Sequence, residues 1–368
     1  MRIRLIYTHF VSGHNIEYLH HLYLGALADT AHRYVFAVPR EFEEQKGLME
    51  WKPAQHISFH CISHEASRTG NVLVNAWHSC KRLRRVVKAV AADEVILISL
   101  MDFMPFVQLL MPNGTVVKGI LYKIYLYYIS EMKWWQQMLE KLKMFVITHS
   151  SCIREVFVLN DEDSAQELNT LWHTTKFRYL PDPCVMLDKS ALRDMRSILG
   201  IEKGKMMVLH IGSINYNKGF DRLFDMINRS DEKDLKNYCF VFAGRVALEC
   251  KPLFYRMLEQ CRRKAEIIVK DDFLSYQDMG SLVYTADKVV LPYRRFGQSS
   301  GIIAYCAQLE TPAYVPDKGL ICRLVKKYKI GIGVAAFNDI HSVEADIKVA
   351  DDYCESHSVQ VFYQTVLA

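Results

Sequence analysis

Long uncharged stretches are what this chain of 368 residues lacks most plainly. No run of about 18 apolar residues free of charge occurs, which excludes a membrane-crossing helix. A basic leader with an apolar core is also missing, and the opening MRIRLIYTHF reads as a short strand. None of the ten cysteines forms a Cys-x-x-Cys pair; they are scattered from Cys61 to Cys354, some, such as Cys239 and Cys306, inside apolar runs. This is the pattern of reduced, buried thiols, so neither a disulfide frame nor a zinc site is expected, and the expected location is cytoplasmic. A strong charge of one sign is absent too. The net charge of +5 suits a small anionic ligand or a membrane surface and is too weak to argue nucleic acid. No basic patch interleaved with aromatics of the strand-binding kind is present. Internal repeats and low-complexity tracts are missing as well.

What is there is an α/β alternation long enough for two domains. Apolar runs at 3–7, 34–38, 57–62, 94–100, 116–122, 144–148, 157–159 and 177–180 predict strands of a first domain. Helical spacing predicts helices over 16–27, 73–90 and 164–172. Pro181-Asp182-Pro183 reads as a linker. Beyond it, strands are expected at 206–211, 238–243, 267–273, 288–291, 311–315 and 330–334, and a helical tail at 343–366. The domains are therefore 1–183, 184–342 and a closing helix, 343–368.

The second half is organised around 206–222, MMVLHIGSINYNKGFDR. A buried strand breaks at Gly212-Ser213; a polar loop leads to Lys218-Gly219, and Phe220, Leu223, Phe224 and Ile227 follow at helical spacing. Strand, glycine turn and helix aim backbone N–H groups at an anion, and Lys218 adds a full charge. The order Lys-Gly excludes a P-loop. A second such landmark is Ser299-Ser300-Gly301, which opens a helix after Pro292-Tyr293-Arg294. In the first half, Asp102 follows a buried strand, where parallel sheets place ligands; the alternative is a cap of the segment that follows it. Asp161-x-Asp163 has the spacing of a metal site, but a helix follows at once, so the reading is a helix start. Tyr122, Lys123, Tyr125, Tyr127, Tyr128, Lys133, Trp134, Trp135, Lys141 and Lys143 form an aromatic, basic region of the kind that lies on a membrane face or packs a core.

The spacing G-S-I-x-x-x-K-G-F-D-R-L from Gly212 resembles the donor-phosphate loop of GT-B glycosyltransferases, the large family 4 type in particular. Ser213 stands where that family has arginine, and Lys218 keeps the lysine. Thr311-Pro312-Ala313-Tyr314-Val315 is similar to the family's G-x-P-V-x element. The resemblance covers most of 206–334; over 1–185 it rests on the strand–helix alternation. It implies two doubly wound Rossmann-like domains facing a cleft, with the last helix crossing back to the first domain. It implies a UDP- or GDP-linked nucleotide sugar as substrate, with no cofactor and no metal. The acceptor would be a glycan or lipid-linked oligosaccharide, in polysaccharide biosynthesis, with retention at the anomeric carbon and peripheral contact with the inner membrane face.

Residue by residue, the resemblance places Ser12 and Gly13 under the donor diphosphate or beside the acceptor, with His14 serving the site or capping the helix. Gly244 would lie near the nucleoside, with Arg245 on phosphate or base, and Asp272 and Phe273 at the nucleobase. Gly212, Ser213, Gly219, Arg294, Ser299 and Gly301 join the donor site, Lys218 and Ser300 carry leaving-group charge, and Asp102 lies by the acceptor hydroxyl. The family's glutamate pair, E-x7-E, falls on Gly297 and Tyr305, neither of them acidic. That departure keeps open a nucleotide-sugar-binding protein without catalysis. An epimerase or phosphorylase on the same fold is a further alternative.

Overall fold

The computed structural model describes residues 1–11, 13–62, 69–337 and 351–368. The chain divides into two units, Met1–Asp182 with Val359–Ala368, and Pro183–Ser358.

In the first unit β1 (Ile3–Tyr7), β2 (Arg33–Val38), β3 (Ile57–Cys61), β4 (Glu94–Leu97), β5 (Val116–Leu121), β6 (Ile153–Leu159) and β7 (Phe177–Leu180) make one parallel sheet, ordered β3-β2-β1-β4-β5-β6-β7. Both faces are buried, which is why the strands read as unbroken apolar runs. Leu5, Tyr7, Val35 and Leu97 pack on one side with the Val72–Val90 helix. Ile6, Phe36, Ile96 and Phe157 pack on the other with the His14–Ala28 helix. The chain changes direction across the sheet at β1 and β4, so their carboxyl ends form the switch point where open α/β sheets bind ligands.

One strand expectation is wrong. Residues 144–148 are the last turns of a helix, Trp134–His149, so the first sheet has seven strands and not the eight expected, with the 157–159 run falling in β6. Met-Phe-Val-Ile-Thr is apolar and β-branched, but periodicity over five residues does not separate a strand from a buried helical turn. The helix buries Lys143, Met144 and Ile147 and leaves Phe145 out. Asp161 caps the next helix, Glu162–Leu171: its carboxylate accepts from the Ser164 N–H at 3.1 Å and from the Ser164 and Tyr127 hydroxyls at 2.8 and 2.5 Å.

In the second unit β8 (Met206–Ile211), β9 (Tyr238–Ala243), β10 (Glu266–Lys270), β11 (Lys288–Val290), β12 (Ala313–Pro316) and β13 (Gly331–Val334) form a second parallel sheet, ordered β10-β9-β8-β11-β12-β13. Its switch point is between β8 and β11. The Phe220–Arg229 helix docks through Phe220, Leu223, Phe224 and Ile227, with Phe224 stacked on Phe242 at 4.5 Å.

Of the expected helical tail, 343–350 lies outside the described residues. The rest is two helices broken at His357-Ser358. Asp351–Ser356 packs on the Ile302–Leu309 helix of the second unit. Val359–Leu367 packs on the His14–Ala28 helix of the first, where Gly25 leaves room for Tyr363 and Leu367.

Candidate active site

Three glycines set the loops of the second unit. Gly212 leaves β8 at φ +105°, and Gly244 leaves β9 at φ +131°, both in the range that suits glycine. A Cβ on Gly244 would stand 2.0 Å from the Gly212 carbonyl oxygen, so the two turns press backbone to backbone. They are laced by the Ile214 N–H donating to Arg245 O at 3.0 Å and the Ala247 N–H to Ile214 O at 2.9 Å. The Asn215 side chain then accepts from the Lys218 N–H at 3.1 Å and closes the turn Tyr216–Lys218. Gly219, φ +74°, opens the following helix against the segment that leaves β11: a Cβ there would lie 2.0 Å from the Pro292 carbonyl oxygen.

That contact brings the two landmarks of the sequence together. The Lys218 ammonium lies 3.8 Å from the centre of the Tyr293 ring. The Tyr293 hydroxyl is 2.9 Å from Ser300 Oγ, and both residues are buried. Lys218 is half-buried and held on a ring face, with no carboxylate at ion-pair distance among the described residues. A cation so placed keeps its charge available to an anion. Beneath it, His210 on β8 is buried, with Nδ1 3.1 Å from Val290 O; burial first, and the Lys218 charge after it, push its titration down to about 4. It is therefore a neutral imidazole at pH 7. Its place inside an apolar run hid it from the sequence reading.

Arg294 is placed differently from its expected role. Its guanidinium is bidentate on Asp221, at 2.6 and 2.5 Å, donates to Tyr216 O at 2.9 Å and stacks 3.9 Å over the Tyr216 ring. It ties the lysine loop to β11 as a lock, and Arg222 adds weaker contacts to Pro292 O and Tyr293 O. Arg245 is exposed and makes no ion pair among the described residues. Asp272 is exposed and accepts from the Phe273 N–H at 2.7 Å, while the Phe273 ring is 68% exposed, a free aromatic face beyond β10. The neighbouring Asp271 holds the Gly244-Arg245 turn by accepting from the Val246 N–H at 2.8 Å. Burial raises the Asp271 carboxyl, but hydrogen bonds from Val246, Lys251 and Tyr255 outweigh it and leave it below the usual range. Ser213 is exposed; Ser299 and Gly301 are half-buried, and Gly301 is the cap of the Ile302–Leu309 helix.

In the first unit Gly13, φ +60°, opens the His14–Ala28 helix. Ser12 and the His14 side chain lie outside the described residues. Asp102 sits in the turn Leu100–Phe103 after β4, its carboxylate one-third exposed. Oδ2 is 3.1 Å from Nε2 of His9, a buried residue just after β1 that the sequence reading passed over. The signal was available: His9 follows the first strand as Asp102 follows the fourth. His9 Nδ1 is buried and makes no hydrogen bond among the described residues. An ionised carboxylate only accepts, so the His9 Nε2–H donates to Asp102. Asp102 is thereby aimed as an acceptor carboxylate. Tyr122, whose hydroxyl is buried and makes no hydrogen bond among the described residues, lies near it; burial, then Asp182 and Asp102, push its titration well up. Tyr18 stacks on Tyr122 at 5.9 Å and donates to Asp182 at 2.6 Å.

Two parallel sheets of this order, each with its polar loops at the switch point, define a protein of the GT-B fold. No protein-family model matches the sequence, and no curated protein matches it either. Solved structures match over the whole length. Anabaena Alr3699/HepE in complex with UDP superposes at a TM-score of 0.70 and 10% identity, covering 100% of this chain and 98% of that one. WaaG, a glycosyltransferase involved in lipopolysaccharide biosynthesis, superposes at 0.66 and 13% identity, over 99% and 97%. Sucrose-phosphate synthase from Thermosynechococcus elongatus gives 0.65 and 11%, over 100% and 94%. At these identities the likeness establishes the fold.

Proposed function

We propose that the chain is a glycosyltransferase moving a sugar from a UDP- or GDP-linked donor to a hydroxyl of a glycan or lipid-linked glycan, with retention and without a metal. The observation that carries this reading is Lys218, held over Tyr293 and next in line to Ser300, where three glycines bring the backbone close around the end of β8. Cleaving the sugar–phosphate bond leaves charge on the departing diphosphate, and pre-aimed donors at that place lower the barrier. Lys218, the Gly219 turn and Ser300 supply them, while Arg294 and Asp221 keep the loop rigid. Phe273 offers a face for the base. The HepE structures with UDP and with UDP-glucose favour uridine as that base. In the first unit, Asp102, aimed by His9, receives the acceptor hydroxyl.

A nucleotide-sugar-binding protein without turnover is the second reading. It rests on Gly297 and Tyr305, which put no carboxylate where the resembling family has its glutamates. The two part in one experiment. The protein, in chelator, is mixed with UDP- and GDP-sugars and a panel of glycan and lipid-linked acceptors, and nucleoside diphosphate release is followed. Acceptor-dependent release with one donor is expected. Binding of a donor with no release under any acceptor would overturn the transferase reading in favour of the second.

A further inference from the structure

The Trp134–His149 helix is half sunk into the first unit and half bare. Its inner face buries Lys143, Met144 and Ile147, and Lys143 is neutralised there by Glu140 at 2.6 Å. At about 100° per residue, Trp134, Phe145, Met138, Leu142 and Trp135 fall in one arc of about 100° on the opposite side. All five are exposed, from 48% at Leu142 to 76% at Trp134. Lone exposed apolar residues need no account, but five large ones in one stripe do. The stripe is about 16 Å long at 1.5 Å per residue. No carboxylate shares it. Exposed Lys141 borders it and exposed Lys133 stands at its amino end. Two tryptophans, an arc apolar but for His149, which stacks on Phe145, and flanking lysines, with Glu131 two residues before Lys133, complement a surface that is greasy below and anionic above.

We propose that this helix lies in the headgroup layer of an anionic phospholipid membrane, with the apolar arc down and Lys133 and Lys141 on lipid phosphates. No helix of the described residues is long and apolar enough to cross a membrane, so the attachment is to one face. The proposal stands on the exposed arc and not on the transferase reading, and its test involves no nucleotide.

The full chain is sedimented with vesicles of phosphatidylcholine alone and of phosphatidylcholine with phosphatidylglycerol, and tryptophan emission is recorded. Co-sedimentation with the anionic vesicles, a blue shift and loss of binding at high salt are expected. Met138→Glu and Leu142→Glu are exposed changes that leave thermal melting as in the parent chain and abolish sedimentation. Lys133→Ser and Lys141→Ser each weaken partition by about fivefold. Absence of binding to either vesicle overturns the proposal, as does undiminished binding by the glutamate variants. Concentration-dependent self-association that Leu142→Glu removes, without lipid binding, would assign the arc to a second copy and overturn it too.

Discussion

Gly219→Ala tests whether close backbone approach shapes the lysine loop, and Gly200→Ala is its control. Both glycines have nearly the same left-handed backbone, φ +74° and +71°, but a Cβ at Gly200 meets nothing within 4 Å. At Gly219 it would meet the Pro292 carbonyl oxygen at 2.0 Å, against a practical floor of 3.0 Å, so the two segments must part by about 1 Å. The left-handed conformation costs alanine about 1 kcal/mol at either site. Forcing the contact apart adds about 1–3 kcal/mol. Gly200→Ala should therefore lose about 1 kcal/mol and Gly219→Ala about 2–4 kcal/mol, or roughly 2–4 °C against 4–16 °C in melting temperature. The same displacement moves Lys218 off Tyr293, and UDP affinity by calorimetry should fall by about tenfold or more, while Gly200→Ala binds as the parent does. Equal losses of stability in the two variants, with UDP affinity unchanged in Gly219→Ala, would refute the argument.

Arg294→Ala leaves Asp221, a buried carboxylate, without its bidentate partner and should cost about 3 kcal/mol, part of which Asp221→Ala in the double variant restores; chemical denaturation measures both. Asp102→Asn should abolish acceptor-dependent release and leave UDP binding intact. His9→Ala should lower kcat by about tenfold or more and shift the pH profile, with partial rescue by His9→Gln, whose side-chain amide keeps a donor near Asp102. Stability should fall with acid through three histidines. Burial lowers His21, His210 and His357 to about 4 from 6.5, so the unfolded chain binds more protons in that window. Stability is thus full above about pH 6.5 and is lost as pH falls towards 4, by about 1.4 kcal/mol per unit for each histidine. Denaturation at several pH values should show His210→Gln removing one such contribution.

Most strands were legible because both faces of each sheet are buried, so composition alone marks them; β8, β9 and β7 begin and end as the apolar runs do. The 144–148 run failed for the same reason, since a buried helical turn is as apolar as a strand. The two loops of the second unit were visible as glycines and serines, but their meeting was not. That contact depends on Pro292 O facing Gly219, which no local pattern encodes. Charge was legible and its use was not: Arg294 looked free until Asp221, 73 residues away, was seen to hold it. His9 and Asp102 are joined across 93 residues only because β1 and β4 are neighbours at the switch point. The exposed stripe of the Trp134–His149 helix appears only once 144–148 is read as part of that helix.

The central claim is that the loop around Lys218 takes the diphosphate of a nucleotide sugar. Calorimetric titration of the parent chain and of Lys218→Ala with UDP and with uridine tests it most directly. Lys218 makes no ion pair among the described residues, so its removal should cost little stability. A lost charge-assisted contact is worth about 1.5–3 kcal/mol, so UDP should bind about 10- to 100-fold more weakly and uridine unchanged. If UDP binds both proteins alike, or UDP and uridine weaken together, Lys218 does not hold the diphosphate and the account is wrong.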